Sequence, residues 1–286
     1  MADSVKVRTA IGACLIAAIV GLLTLDNWTG HGWGVIVLCT ALTAAGLREF
    51  ALMASVVGPI PRRSLVVAGA AYTALKGLGY EVDPRLHLLL APLAVGYAYA
   101  VFFACLRGAP SLERLQGLAA TALGFFYIPF LGGYALEARF ADPSVGQAAF
   151  FYVVAIAKGT DICAYFTGKA LGRTKVVPSV SPGKTQAGFV GAVVGAALIT
   201  CAFSAWSSLG TVIPLPLAPG VGIVMSLVVI SGDLIESFMK RSAAVKDSAK
   251  LLPGYGGVLD VVDSVVIAAP VVVWTLALLR RMAPLG

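Results

Sequence analysis

Five acids in the second half of this chain, Asp161, Asp233, Glu236, Asp260 and Asp263, lie in or at the ends of long apolar runs. A carboxylate in such a run is costly unless it meets water, a cation or a metal ion. Asp233, Glu236, Ser237 and Lys240 recur at i, i+3, i+4 and i+7, which puts them on one helix face. The plain alternative is a helix terminus whose acids pair with Lys240. Asp260 and Asp263 follow a glycine-rich turn, Pro253-Gly254-Tyr255-Gly256-Gly257, that runs straight into an apolar helix. Gly256 and Gly257 can present backbone N–H groups to a phosphate at that helix start. The two acids on one face can hold a metal, or can serve as first-turn residues that complement the helix dipole. Lys158 and Asp161, three apart, either neutralise each other or line a polar cavity that also includes Tyr165.

Two loops carry the matching positive charge. Residues 169–186 hold Lys169, Arg173, Lys175 and Lys184, and residues 239–262 hold Lys240, Arg241, Lys246 and Lys250. Both are longer than a connection requires. Gly183-Lys184-Thr185 resembles the end of a P-loop, but that motif needs a glycine where Pro178 stands and a strand before it. What survives is a cationic loop with Ser181 and Thr185 as hydroxyl donors, suited to phosphates or to anionic lipid heads. The two histidines, His31 and His87, fall on the opposite side from the acids, so imidazole chemistry and zinc are not expected. Metal-assisted phosphoryl-type transfer fits this inventory, because a phosphate nucleophile is already ionised and needs no general base.

The elements that must position these groups are membrane helices. Of 286 residues, 59% are hydrophobic and 12% are charged, and the mean hydropathy is +0.90. Soluble domains are roughly 45–50% apolar and about 25% charged. The expected fold is therefore all-α, a polytopic transmembrane helical bundle of about nine spans. The candidate spans are residues 9–25, 32–56, 64–79, 88–106, 114–136, 148–168, 187–209, 217–238 and 263–281. Residues 1–147 read as N-terminal membrane helices that scaffold or face lipid, and 148–286 as a C-terminal catalytic region with the basic loops. With the N-terminus cytoplasmic, one set of alternate loops holds Lys6, Arg8, Arg62, Arg63, Arg107, Arg114 and all eight basic residues above. The other set holds Arg85, Arg139, Arg280 and Arg281, which favours that orientation.

The remaining features narrow the class. The net charge of +7 is too small and scattered for a nucleic-acid binder and suits anionic head groups or substrates. Cys14, Cys39, Cys105, Cys163 and Cys201 sit in apolar runs without metal-type spacing and read as small core residues. Lys6 and Arg8 precede an apolar run as in a signal peptide. Asp26-Asn27-Trp28 follows it in place of a small-residue cleavage site, so a retained first span is expected.

Read in order, these blocks resemble the phosphatidate cytidylyltransferase (CDP-diacylglycerol synthase) family. The resemblance rests on Asp161 with Ala164-Tyr165-Phe166, Ser181-Pro182-Gly183-Lys184-Thr185, and Gly232-Asp233-Leu234 with Glu236-Ser237. It continues through Lys240-Arg241, Lys246-Asp247-Ser248 and Pro253 to Ser264. Tyr255 stands at the family's usual His, Val261 at its usual Arg, and Ala187 at a frequent acid. The detailed likeness covers about residues 160–264, and the nine-span layout extends it loosely.

The resemblance implies that CTP and phosphatidate give CDP-diacylglycerol and pyrophosphate, at a site facing the cytoplasm in the inner membrane. It implies catalytic roles for Asp233, Asp260, Lys240 and Asp247, with Mg2+ held by Asp233 and Asp260. A second cation, monovalent or divalent, would draw on Asp161, Glu236 and Asp263. Ser181, Lys184, Thr185, Lys240, Arg241, Lys246, Gly256 and Gly257 would bind substrate phosphates, and a homodimer is implied. Two other readings stay open: a sister enzyme acting on another lipid phosphate, such as an isoprenoid one, and a transporter of a phosphorylated solute. Transport sites lie near the midplane in paired repeats, and no such repeat is evident.

Overall fold

The computed structural model describes residues 17–249 and 256–282, so Lys6, Arg8, Cys14, Lys250 and Tyr255 lie outside the described residues. All regular structure among the described residues is helical, apart from isolated bridge positions at Lys175 with Thr185 and at Gly256. The helices are α1 (residues 17–29), α2 (Trp33–Ala54), α3 (Arg62–Glu81), α4 (Leu90–Leu106), α5 (Leu112–Phe125), α6 (Tyr134–Phe140), α7 (Gly146–Leu171), α8 (Gln186–Trp206), α9 (Ala218–Ser242) and α10 (Leu259–Met282).

Polar residues at the punctuation points set the boundaries. Asp26 accepts the orphan N–H groups of Gly34 (2.8 Å) and Val35 (3.0 Å) at the start of α2. Ser111 caps α5 through Arg114 N, and Thr185 caps α8 through Gly188 N at 3.1 Å, as hydroxyl N-caps do. The apolar stretch expected over 114–136 is not one regular helix. Pro129 has no N–H to donate, and the ladder widens into a π-helical turn over Phe126–Leu131 before α6 resumes.

Seven helical segments among the described residues are long and apolar enough to cross a membrane, with mean hydropathy from 1.4 to 2.2. They correspond to seven of the nine expected spans. The expected span at 9–25 starts outside the described residues. The one at 64–79 forms a full 20-residue helix, α3, but falls short in apolarity because Arg62, Arg63, Lys76 and Glu81 lie within it. Arg62 and Arg63 are exposed, whereas two polar groups further along turn inward. Lys76 is buried with its ammonium 4.2 Å from the Tyr134 ring centroid, and Thr73 Oγ1 bonds Thr43 Oγ1 of α2 at 3.2 Å.

The chain divides into two compact units, Met1–Leu136 with Ala243–Val262, and Glu137–Ser242 with Asp263–Gly286. The first unit therefore takes in a segment that the sequence reading assigns to the C-terminal region. In it, α3 presents Leu65, Ala68, Tyr72 and Thr73 as a buried stripe at helical spacing. In the second unit, α7, α8 and α9 approach closely through small residues, the usual packing device of membrane helices. Ala192 and Ala196 of α8 are fully buried. A Cβ added at Gly222 of α9 would fall 2.6 Å from the Ala196 carbonyl oxygen and 2.8 Å from the Ala197 N. Before α7, Asp142 accepts from the Ser144 N–H (2.9 Å) and hydroxyl (2.6 Å) and pairs with Arg280.

Two outcomes follow. Gly222→Val drives a side chain into backbone that cannot yield, and should cost about 1–3 kcal/mol, read as a lowered thermal midpoint in detergent. Burial pushes the Asp142 carboxyl up, but the Ser144 donors and Arg280 outweigh it and hold its pKa below the ordinary carboxylate value. Its contribution to stability is therefore present at neutral pH and lost as acid protonates it. Asp142→Asn should flatten the midpoint's dependence on pH below about 4.

Candidate active site

In the second unit the acids expected on α9 do share a face, and each meets a lysine. Lys184, from the loop before α8, places its ammonium 2.6 Å from Asp233 Oδ2 and 3.5 Å from the Ile230 carbonyl. Lys240 stands 2.5 Å from Oε2 of the fully buried Glu236. The plain reading of this helix end thus holds for Glu236 with Lys240, whereas Asp233 takes its cation from another element. Arg241 Nε donates to the Val180 carbonyl at 3.4 Å, so the cationic loop is tied to the end of α9.

The loop itself folds back through the Lys175–Thr185 bridge, with Val176 N donating to the Lys184 carbonyl at 3.1 Å and Gln186 N to that of Thr174 at 3.0 Å. Ser181 lies in the turn, its N–H on the Val177 carbonyl. Thr185 is buried, and its hydroxyl oxygen caps α8. A glycine-lysine-threonine run here therefore delivers a cation and then starts a helix.

A second group lies between α7 and α10. Lys158 Nζ is 3.3 Å from Asp263 Oδ1, 3.7 Å from Asp161 Oδ2 and 2.8 Å from Ser264 Oγ. Ser264 Oγ in turn is 3.1 Å from Asp161 Oδ2 and 3.1 Å from Asp263 Oδ1. Lys158 and Asp161 do pair, as their spacing allows, but they pair with α10 as well. Ala157, Val229 and Ala268 are fully buried in one apolar cluster, with Val265 against it.

The first unit holds Asp260 in a different way. Its Oδ2 accepts from Gly257 N (2.7 Å), Ser248 N (2.9 Å) and Ser248 Oγ (2.8 Å). The buried Glu49 of α2 accepts from Val258 N (2.9 Å) and Leu259 N (2.8 Å), and lies 2.9 Å from Ser248 Oγ, whose single proton it shares with Asp260. Glu49 thus satisfies the start of α10 from another helix and, through Ser248, steadies the Asp260 carboxylate. Both glycines are required by these acids. Gly256 has φ +91°, and a Cβ there would meet Asp260 Oδ2 at 2.5 Å. One on Gly257 would meet Ser248 Oγ at 2.1 Å and Glu49 Oε2 at 2.3 Å. Lys246 and Asp247 are exposed in the same segment, where Ala244 adopts φ 55°.

Sequence reasoning expected little chemistry from the N-terminal half and passed over Glu49. The available signal was an acid inside the apolar run 32–56, a placement that marks a functional residue by default. Ser248 and Ser264 stand in the quoted motif without an expected role, yet their hydroxyls bridge carboxylates. The histidines bond locally, His31 Nδ1 to Glu81 at 2.7 Å and His87 Nε2 to the Lys76 carbonyl at 3.1 Å. Among the described residues no three Asp, Glu, His or Cys side chains stand together at metal-binding distances. Carboxylate oxygens are nonetheless the donors a hard cation such as Mg2+ takes, alongside water and substrate phosphates. Asp233 and Asp260 fit that chemistry.

An all-α assembly of apolar helices, with acid–lysine pairs at helix ends and a cationic loop, defines a membrane-type protein equipped for anionic groups. A family model described as the cytidylyltransferase family matches residues 6–279, and the chain belongs to that family. It is similar to a phosphatidate cytidylyltransferase of Brucella suis biovar 1, with 39% identity over 158 residues, 54% of this chain and 56% of the relative. A phosphatidate cytidylyltransferase of Synechocystis is 29% identical over 299 residues, 93% of this chain and 96% of the relative. The uncharacterized protein YnbB of Escherichia coli K12 is 31% identical over 252 residues, 85% and 79% respectively. In its matches to the Brucella relatives the chain spans little more than half the relative's length.

Glu49→Ala removes the acceptor of two buried N–H groups, at about 1–3 kcal/mol for each group left unsatisfied. Hydrogen exchange should show faster exchange at Val258 and Leu259, with the α2 amides distant from residue 49 unchanged.

Proposed function

We propose that this protein transfers the cytidylyl group of CTP to phosphatidate, giving CDP-diacylglycerol and pyrophosphate. The observation that carries the reading is the ordered set Asp233–Lys184, Glu236–Lys240 and Asp260 with its glycine-held donors. It supplies carboxylates for a hard cation and ammonium groups for phosphates, without imidazole. The printed names of the Brucella and Synechocystis relatives support the same substrates.

In this reading the phosphate of the lipid attacks the α-phosphorus of CTP in line and pyrophosphate leaves. Mg2+, held by Asp233 and Asp260, would supply charge neutralisation at the triphosphate and leaving group. Lys184, Lys240, Arg241 and Lys246 bind phosphate oxygens, with hydrogen bonds from Ser181 and the Gly256 N–H, while Gly257 and Thr185, expected to join them, are engaged by Asp260 and by the start of α8. Asp247, given a catalytic role by the resemblance, stands exposed beside Lys246. The cations already stand against carboxylates, so substrate phosphates compete for ammonium groups that are positioned before binding. Glu236 keeps Lys240 in place, and Asp233 does the same for Lys184. Val261 supplies no cation at the family's usual Arg, which leaves more of the phosphate binding to these lysines.

The membrane setting follows from the substrate, whose acyl tails stay in lipid while its head group meets water-facing groups. The proposed topology has about nine crossings with the N-terminus and active site cytoplasmic, in the inner membrane. The 20 residues of α3 make it about 30 Å long, the thickness of a bilayer core. Arg62, Arg63, Lys76 and Glu81 account for its lower apolarity. A homodimer is part of the same proposal.

Pyrophosphate release by purified protein in detergent tests the reading. Release should require CTP, Mg2+ and phosphatidate together, and an isoprenoid phosphate should not replace phosphatidate. Asp233→Asn and Asp260→Asn should each cut turnover about 100-fold or more, because metal charge stabilisation is worth several kcal/mol. Near-wild-type turnover in both variants would overturn the metal assignment. CTP binding without turnover on phosphatidate would move the substrate to another lipid phosphate.

A further inference from the structure

We infer that Lys158 is a tethered cation, whose ammonium fills the position between Asp161 and Asp263 that a dissociable second cation would otherwise take. The inference rests on the transferase reading for its catalytic meaning and changes that reading in one respect. The chain needs no second ion at these two acids.

An ammonium has three N–H donors and no acceptor. Three oxygens surround Lys158 Nζ: Ser264 Oγ at 2.8 Å, Asp263 Oδ1 at 3.3 Å and Asp161 Oδ2 at 3.7 Å. Ser264 accepts from Lys158 and has one proton of its own, with both carboxylates 3.1 Å away, so it links them without adding charge. Hard cations sit about 2.0–2.6 Å from oxygen ligands. The ammonium already occupies the space among these three oxygens, so it competes with any ion for the same position.

The lysine's side chain is 33% exposed. It sits on α7 directly after Ala157, which is fully buried with Val229 of α9 and Ala268 of α10. Asp263 is itself 3% exposed, so its carboxylate has protein rather than water to offset it. Two carboxylates bound to one hydroxyl repel, and a nearby positive charge relieves that repulsion. A lysine does so at every salt concentration, whereas a dissociable ion does so only above its dissociation constant. The consequence is a pair of acids held in place before any substrate or metal arrives.

The test uses the full chain in detergent, with N-methylglucamine chloride as the background salt and Rb+ or K+ as the probe at constant ionic strength. Wild type should bind no Rb+ saturably, and its thermal midpoint should not move when K+ replaces N-methylglucamine. Lys158→Met, which removes the charge but fills the space, should lower the midpoint by on the order of 5 °C, with no recovery in K+. Lys158→Ala, which opens the space, should gain saturable Rb+ binding. Saturable Rb+ binding by wild type overturns the inference, as does a folded Lys158→Ala that binds no more Rb+ than wild type. The wild-type measurement stands even if both variants fail to fold. None of these readouts needs CTP or lipid, so a failure of the transferase reading would show separately, as absent pyrophosphate release.

Discussion

A carboxylate among apolar helices cannot keep its charge without a partner, because the bare ion loses several kcal/mol of hydration that nothing else replaces. That constraint runs through this protein. Glu49, Glu236 and Asp263 are each almost wholly buried, and each is answered by donors from a different position in the chain. Glu49 is met by the backbone N–H groups of Val258 and Leu259, Glu236 by Lys240 one turn on, and Asp263 by Lys158 of α7. Where such acids sit, helices must begin, end or approach so as to supply the donors. The apolar packing then fills the remaining space.

Two solutions to the same problem coexist. In the second unit the acids take lysine ammonium groups, which leaves charge-paired clusters at Asp233 and around Asp161 and Asp263. In the first unit Asp260 Oδ2 and Glu49 take neutral N–H and O–H donors from a glycine-containing segment. The glycines are what permit it. With any side chain at Gly257, the carboxylate of Glu49 and the hydroxyl of Ser248 could not both come as close as they do. The first arrangement presents cations that an incoming phosphate can share. The second presents a carboxylate whose orientation is set by backbone that cannot move independently of α2.

The proposed transfer needs an anionic lipid head, an anionic nucleotide and a metal to be brought together at a membrane. Preformed ion pairs suit that task, since oriented charges need little rearrangement when substrate binds. The absence of histidine from the acid groups is consistent with a nucleophile that is already ionised at neutral pH.

The all-α class, seven long apolar helices, the acids and the cationic loops were legible in the sequence, because apolar run length and helical spacing are local properties. The pairing of Glu236 with Lys240 was legible for the same reason, being one turn of one helix. Three things were not. How α3 accommodates Lys76 depends on the Tyr134 ring, a contact between residues far apart in the chain. The π-helical turn at Pro129 broke a segment that hydropathy alone reads as uniform. Glu49 is separated from Val258 by 209 positions, so no spacing rule could join them. Sequence by itself determined which groups were available and which faces of helices they occupy. Tertiary structure decided which donor met which acid, because a buried charge selects its partner by distance in space and not by distance along the chain.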